Sequence, residues 1–390
     1  MTAPRASDSG DAPGDGTGLQ DKRVGPLELF FDLVFVLALT QVTARVSADP
    51  TAGGVVRGLL VLAAVWWAWA AYAWLTNEVD GNRAAVRLTI FAAMAAMLVA
   101  SLAVGGAFEG DAVLFAAAYL CVRVLHVLLF IAGTEHVDVR QAARALAPTA
   151  VLAPAVLLAS TALDDALQIG LWVVALLIDY VGGALRGIDG WRLSPGHFAE
   201  RHGLVVIIAL GESIVAIGVG AHGIRLGAGA LTAAALGVAL TAMLWWTYFD
   251  EAVDAIEGRL VAASGRARNT AARDAFSFLH LPLVTSIVLL AVGLKNTLAH
   301  TGDPLGAVGA LGLCAGAGGF LLGTVAVRWR CLGALDRSRV FAATVCFAMF
   351  PAAPQLPALV MLCAIVVVCG ALVVVTEIGA AGRKGARHPA

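Results

Sequence analysis

Glu28 and Asp32 sit four residues apart in "PLELFFDLVFVLALTQ", residues 26–41, a stretch otherwise apolar enough to cross a bilayer. On a helix that spacing puts both carboxylates on one face. An ionisable group near the bilayer centre costs at least ~2.5–3.5 kcal/mol on insertion scales, so it needs a partner or a water-filled cavity. At ~1.5 Å per residue, Asp32 lies ~8 Å into its helix and Glu28 one turn earlier, near the headgroups. Glu28 therefore suits an interfacial charge, and Asp32 a pairing or pathway role. Thr40 and Gln41 extend the polar pattern of the same stretch. A third acid, Glu212 in "RHGLVVIIALGESIVAIGVG", is expected ~14 Å deep, close to the midplane of a ~30 Å core. Ser213 adds a hydroxyl, and Gly211 leaves room for close helix contact. Glu212 is the leading candidate for an ion or solute pathway, with a structural ion pair as the alternative.

Arg123 and His126, in "YLCVRVLHVLLF", are three residues apart and share a helix face. Arginine keeps its charge, so Arg123 needs a carboxylate, and Asp32, Asp179 and Glu212 are the available partners. The reading divides between a buried pair and an anion or substrate contact. His126 can titrate near neutral pH or simply pack. Asp179, in "LLIDYVGGALRG", is expected within the membrane. His280 stands beside Pro282 in "FLHLPLV", and a proline bend beside a histidine suits either a binding cavity or plain packing. His197, Glu200 and Arg201 are spaced i, i+3, i+4 on the approach to Glu212. They suit an amphipathic surface helix with local ion pairs, or a cytoplasmic gate. A metal site at His197 with Glu200 or His202 is disfavoured, because the H-E-x-x-H signature is missing.

The elements that must hold these residues follow from composition. Sixty per cent of the 390 residues are hydrophobic and 14% charged, and the mean hydropathy is +0.85. That excludes a soluble domain and implies a polytopic membrane protein, all-α, with the lipid bilayer as its first partner. Twelve apolar runs are long enough to span, near 27–46, 55–75, 85–107, 111–133, 142–162, 166–187, 203–222, 229–249, 277–298, 306–327, 338–354 and 357–378. The boundary at "PAAPQLP", between the last two, is the weakest. Of the 26 Lys and Arg residues, 21 fall in the tails or loops on the N-terminal side, four on the other side, and Arg123 lies within a span. That bias predicts a cytoplasmic-membrane protein with both termini in the cytoplasm.

The two halves share an ordered set of features. "FFDLVFVLAL" aligns with "LGESIVAIGV", "WWAWAAYAWLTNEVD" with "LWWTYFDEAVD", "VASLAVGGA" with "IVLLAVGLK", and "CVRVLH" with "AVRWRC". The expected organisation is a disordered tail (1–22), two parallel six-helix halves (23–195 and 196–380), and a second tail (381–390). Asp32 and Glu212, from matching helices, would face each other across a central polar cavity. Arg123, His126 and Asp179 would complete its charge balance.

Other functions find little support. There is no Walker-type phosphate loop and no Ser-His-Asp or G-x-S-x-G context. The chain is therefore expected not to be an enzyme and to carry no cofactor. Nothing basic and aromatic enough for nucleic acid is present. The six cysteines form no C-x-x-C pair and suit buried packing. An unnamed small solute or ion, the proton included, is the expected cargo, and a homo-oligomer is left open. A non-transporting membrane-homeostasis scaffold is the competing class.

Three stretches also carry a resemblance: "ELFFDLVFVLALTQV" at 28–42, "HFAERHGLVVIIALGESIVAIG" at 197–218 and "HLPLVTSIVLLAVGLK" at 280–295. They resemble the bacterial low temperature requirement protein A (LtrA) family, over residues 23 to 380. The resemblance implies a multi-helix bacterial membrane protein named for a growth requirement in the cold, and it names no activity. It carries Glu28, Phe31, Asp32, Thr40 and Gln41 from the first motif. From the second come His197, Glu200, Arg201, Gly203, Gly211, Glu212 and Ser213. His202 departs from the pattern, since an aromatic often follows the arginine. A weaker similarity links Phe30-Phe31-Asp32 to the Phe-Ser-Asp of some bacterial and lysosomal potassium channels built from six-helix units. It implies ion conduction as a further alternative.

Overall fold

The computed structural model describes residues 23–185, 190–249 and 252–387. They form an all-helical bundle. The helices are α1 (Pro26–Ala48), α2 (Ala52–Glu78), α3 (Ala84–Leu102), α4 (Ala112–Gly133), α5 (Val137–Ser160), α6 (Asp165–Leu185), α7 (Pro195–Gly220), α8 (Ala228–Phe249), α9 (Ala252–Ala262), α10 (Gly265–Ala299), α11 (Ala307–Leu332), α12 (Arg337–Ala348) and α13 (Ala358–Arg387). Eleven of them are long and apolar enough to cross a membrane: α1 to α8, α10, α11 and α13. The expected tail at 1–22 lies outside the described residues. In the expected tail from 381, the residues to Arg387 continue the helix of α13, whose spanning part ends at Gly379.

Local chemistry sets the helix ends. Pro26 occupies the first turn of α1, where its missing N–H costs nothing. The Glu28 carboxylate reaches back to accept the Gly25 N–H at 3.0 Å, one half of a capping box. Thr51 caps α2 by accepting the Gly54 N–H at 3.0 Å. Gly333, at φ 69°, closes α11 in the left-handed region that glycine adopts without strain.

Two expectations about spans need correction. The run at 338–354 is not one spanning helix. Helix α12 is 12 residues long, or ~18 Å at 1.5 Å per residue, and a 3₁₀ segment follows at Phe350–Gln355. Pro351, Pro354 and Pro357 supply no N–H to continue the α ladder. The chain still travels the length of α11. It leaves the α11 end at Gly333 and reaches the loop before α11, where Ala358 N donates to Asp303 O at 2.8 Å and Leu359 N to Thr301 O at 3.2 Å. The ninth span begins earlier than 277. Helix α10 starts at Gly265 and contains a π-helical turn at Arg273–Phe278. Side chains take two carbonyls of that turn: His280 Nδ1 donates to Ala275 O at 2.8 Å and Trp66 Nε1 to Ser277 O at 2.8 Å.

Helix neighbours follow the same order in both halves. Helix α1 packs on α2 and α3, α3 on α4, and α4 on α5, with α2 also touching α4 and α6. Likewise α7 packs on α8 and α10, α10 on α11, and α11 on α12, with α8 also touching α11 and α13. The α10–α11 interface is the tightest, because glycines face each other there. A Cβ on Gly312 would lie 2.6 Å from Gly293 N and from Leu289 O, and one on Gly316 2.7 Å from Leu290 N. Gly211, expected to serve such a contact, has nothing within 4 Å of a built Cβ.

Asp336 anchors α12 from the loop. Its carboxylate accepts from Ser338 Oγ at 2.6 Å and from Arg339 N at 3.2 Å, with Arg339 Nε 3.3 Å from Oδ2. Partial burial would raise its pKa, but these hydrogen bonds and the Arg339 and Arg328 charges hold it below the usual carboxylate value. A depressed folded pKa means that the stabilisation is complete above the unfolded value of about 3.9 and is lost as pH falls through the lower folded value. Asp336→Ala should therefore cost about 1 kcal/mol at neutral pH, as other lost caps do. Thermal unfolding in detergent should show the gap to wild type closing below about pH 4.

Candidate functional site

Helices α1 and α7 lie side by side and run in the same direction. Three pairs in ascending order show it: Glu28 with His197, Asp32 with Arg201, and Thr40 with Glu212. Both motif helices therefore present their polar residues to one another.

The first two pairs form one network. His197 Nε2 lies 2.9 Å from Glu28 Oε2 and 3.1 Å from Oε1, so it donates to that carboxylate. Arg201 Nη1 lies 3.5 Å from Glu28 Oε1, and its Nη2 donates to Asp32 Oδ1 at 3.0 Å. Trp69 Nε1 donates to the same Asp32 oxygen at 2.8 Å. The Arg201 guanidinium also sits 5.7 Å from the Trp69 ring centroid, within cation–π range. Asp32, His197 and Arg201 are all fully buried. His197 and Arg201 thus do not lie on a surface helix. Glu200 is the exposed member, and it accepts the Val24 N–H at 3.1 Å. Glu28 is itself buried and ion-paired rather than a free interfacial charge.

Glu212 lies elsewhere. It is 17 residues beyond Pro195, which begins α7, or ~26 Å along that helix at 1.5 Å per residue. It does not face Asp32: Arg201, the partner of Asp32, is 11 residues or ~16 Å away along α7. The Thr40 hydroxyl donates to its Oε2 at 2.6 Å, and the Thr43 hydroxyl and the Lys295 charge also act on it. The adjacent Ser213 Oγ is buried with no hydrogen-bond partner among the described residues. No salt bridge reaches Glu212 among the described residues.

A third cluster occupies the first half. Of the three acids open to Arg123, the partner is Asp179: Arg123 Nη2 donates to Asp179 Oδ1 at 2.7 Å, with both side chains buried. His126 Nε2 donates to Ala71 O at 3.1 Å, and its ring packs edge-on against Phe130. These three residues line a cavity of about 90 Å³ between α2, α4, α5, α6 and the start of α10. Its charges do not join those of Asp32 or Glu212 into one central cavity.

His280 belongs to an aromatic stack and pairs with no acid among the described residues. Its Nδ1 donates to Ala275 O, so its Nε2 accepts the Tyr248 hydroxyl at 2.7 Å. His202 packs 5.4 Å from His280 and 5.0 Å from Trp69, ring to ring. It therefore fills an aromatic position in the core. Sequence reasoning missed Trp69, Trp66, Trp74, Trp191, Asn269, Arg273 and Ser277 as site neighbours. The signal available was the spacing of Trp66, Trp69 and Tyr72, which puts three ring donors on one face of α2.

A family model, that of the bacterial low temperature requirement A protein (LtrA), matches residues 23–374. The chain belongs to the LtrA family. A relative from Rhizobium meliloti (strain 1021), described as an uncharacterized protein, is 31% identical over 344 residues, covering 84% of this chain and 82% of the relative. This LtrA protein is thus a multi-pass membrane protein with buried charged residues. In its fold, the first two resembling stretches become α1 and α7, and the third becomes the second part of α10, which packs on both.

Proposed function

We propose that this LtrA protein is a secondary transporter or ion pathway built from two parallel six-helix repeats, with Glu212 as the exchanging carboxylate. The matching order of helix neighbours in the two halves and the parallel α1–α7 pair support the repeat. The loop bias of 21 basic residues against four supports cytoplasmic termini. One observation carries the functional reading: Glu212 is buried deep in a membrane-spanning helix with a hydroxyl partner and no salt bridge among the described residues. A carboxylate so placed can bind and release a proton or a cation without breaking the bundle. Asp32 has a different task, because Arg201 and Trp69 fix it and it holds α1 to α7.

The purified protein in liposomes tests this through proton, potassium and solute flux. Glu212→Gln should lower flux per folded protein at least tenfold while leaving the unfolding temperature nearly unchanged. Asp32→Asn should instead lower the folded yield. Wild-type vesicles that pass no tested ion or solute would remove the transport reading.

The pairing of opposite charges within the Glu28–Asp32–His197–Arg201 network favours a second reading, a non-transporting scaffold whose charges are structural. It predicts that Arg123→Met with Asp179→Leu keeps growth in the cold, because a buried pair can be replaced by apolar residues of similar size.

A further inference from the structure

We infer that the groove between the first turns of α1 and α3 holds an anionic phospholipid, with its phosphate at Arg23 and Arg87 and an acyl chain on the aromatic floor. The groove measures about 640 Å³ and is walled by α1, the end of α2, the α2–α3 loop and α3. Helices α1 and α3 begin at Pro26 and Ala84, so it opens where the spans meet the headgroup layer. One water needs roughly 10–15 Å³ on such a measure, so the space far exceeds the need of an ion. It falls within the roughly 300–1,000 Å³ of pockets that hold organic ligands.

The lining changes character with depth. Arg23, Asp80, Asn82 and Arg87 come from the chain before α1, the α2–α3 loop and the first turn of α3. Phe30, Ile90 and Phe91 come from the next turn down, and Glu28 and Thr76 are the other polar side chains. Glu28 is already matched by His197 and Arg201. That leaves two arginines, both exposed, against Asp80, whose Oδ1 accepts the Asn82 N–H at 2.9 Å. Arg87 is held across the loop, donating from Nε to Gly81 O at 2.9 Å and from Nη2 to Asn82 Oδ1 at 3.1 Å. The balance is one positive charge at the level of the lipid phosphates, which favours an anionic lipid.

The floor decides between a lipid and a free phosphate. Phe30 and Phe91 meet edge to face at 6.3 Å, and both are exposed. Leu33, one turn deeper on α1, and Leu98, two turns deeper on α3, are exposed as well. An apolar track therefore runs from the floor towards the bilayer core. A phosphate that carries an acyl chain covers both parts, and free phosphate covers one. Residues 1–22, which lead into Arg23, hold four aspartates that could meet the arginines. They have no aromatic residue and a single leucine to meet the floor.

Lipid binding needs no flux and is independent of whether the chain transports. Native mass spectrometry of the detergent-solubilised full chain, with phosphatidylglycerol and phosphatidylcholine of matched acyl chains, measures it. Phosphatidylglycerol should bind about tenfold tighter. Arg23→Gln with Arg87→Gln should remove that preference. Arg144→Gln, exposed at the same end of the bundle on α5, should keep it. Phe91→Ala should weaken both lipids severalfold, because the floor serves either headgroup. All four side chains are exposed, so the unfolding temperature should hold. Glycerol 3-phosphate should not compete. Equal binding of the two lipids, or a preference that survives the double variant or is lost equally in Arg144→Gln, would overturn the site. So would binding unchanged by Phe91→Ala, competition by glycerol 3-phosphate, or lipid binding seen only after residues 2–21 are deleted.

Discussion

Arg201→Met should be the most destabilising single charge change in this protein, at about 3–5 kcal/mol, the usual cost of removing one partner from a buried ion pair. The physical reason is what stays behind. Arg201 donates to Asp32 at 3.0 Å and lies 3.5 Å from Glu28. Without it, Asp32 keeps the Trp69 N–H at 2.8 Å and Glu28 keeps His197 at 2.9 Å. Two carboxylates one helical turn apart would then share one face with no arginine between them. Thermal unfolding in detergent, followed by the loss of a monodisperse peak, measures the effect. Glu200→Ala, on the exposed face one residue away, should change little. Adding Asp32→Leu to Arg201→Met should recover part of the loss, because both ends of the pair are then gone. A double variant no more stable than Arg201→Met alone would show that Asp32 does not depend on Arg201.

The second large effect is expected at Gly312. Overpacking a tight interior usually costs ~1–3 kcal/mol, and more where the neighbours cannot move. Here the neighbours are backbone: a Cβ at Gly312 meets Gly293 N and Leu289 O at 2.6 Å and Gly293 Cα at 2.8 Å. Peptide atoms have no other rotamer to adopt, so α10 and α11 must separate. Gly312→Val should therefore fall at or beyond the upper end of that range, whereas Gly211→Val, with open space around its Cβ, should be tolerated. Folded yield and unfolding temperature of the two variants give the comparison. Similar behaviour would mean that the glycine contact does not hold the pair together.

Some of this design was legible before any fold. Run length and mean hydropathy identify spanning helices because a bilayer demands ~20 apolar residues in a row. The cost of burying charge singles out Asp32, Glu212, Arg123 and Asp179 from their apolar neighbours, and the need of Arg123 for a carboxylate narrows its partner to three acids, Asp179 among them. The segment from His197 to Arg201 was misleading. Its polar residues look like a surface lead-in, yet they begin α7 itself, because Glu28 and Asp32 on α1 satisfy them. The run at 338–354 misled for another reason: a hydropathy count registers its apolar residues but not the helix-breaking effect of Pro351 and Pro354.

The sequence by itself determined that this chain lives in a membrane, where eleven of its spanning runs lie, and which ionisable residues are too costly there to be accidental. It could do so because solvation and helix length are local properties of a run of residues. Only the tertiary structure decided that Asp32 answers to Arg201 and Trp69, that Glu212 answers to Thr40, and that Arg123 and Asp179 share a cavity instead of joining them. Partner choice depends on the level and direction at which two distant helices meet. Here the relative placement of α1 and α7 sets it, and no residue on either helix carries that information alone.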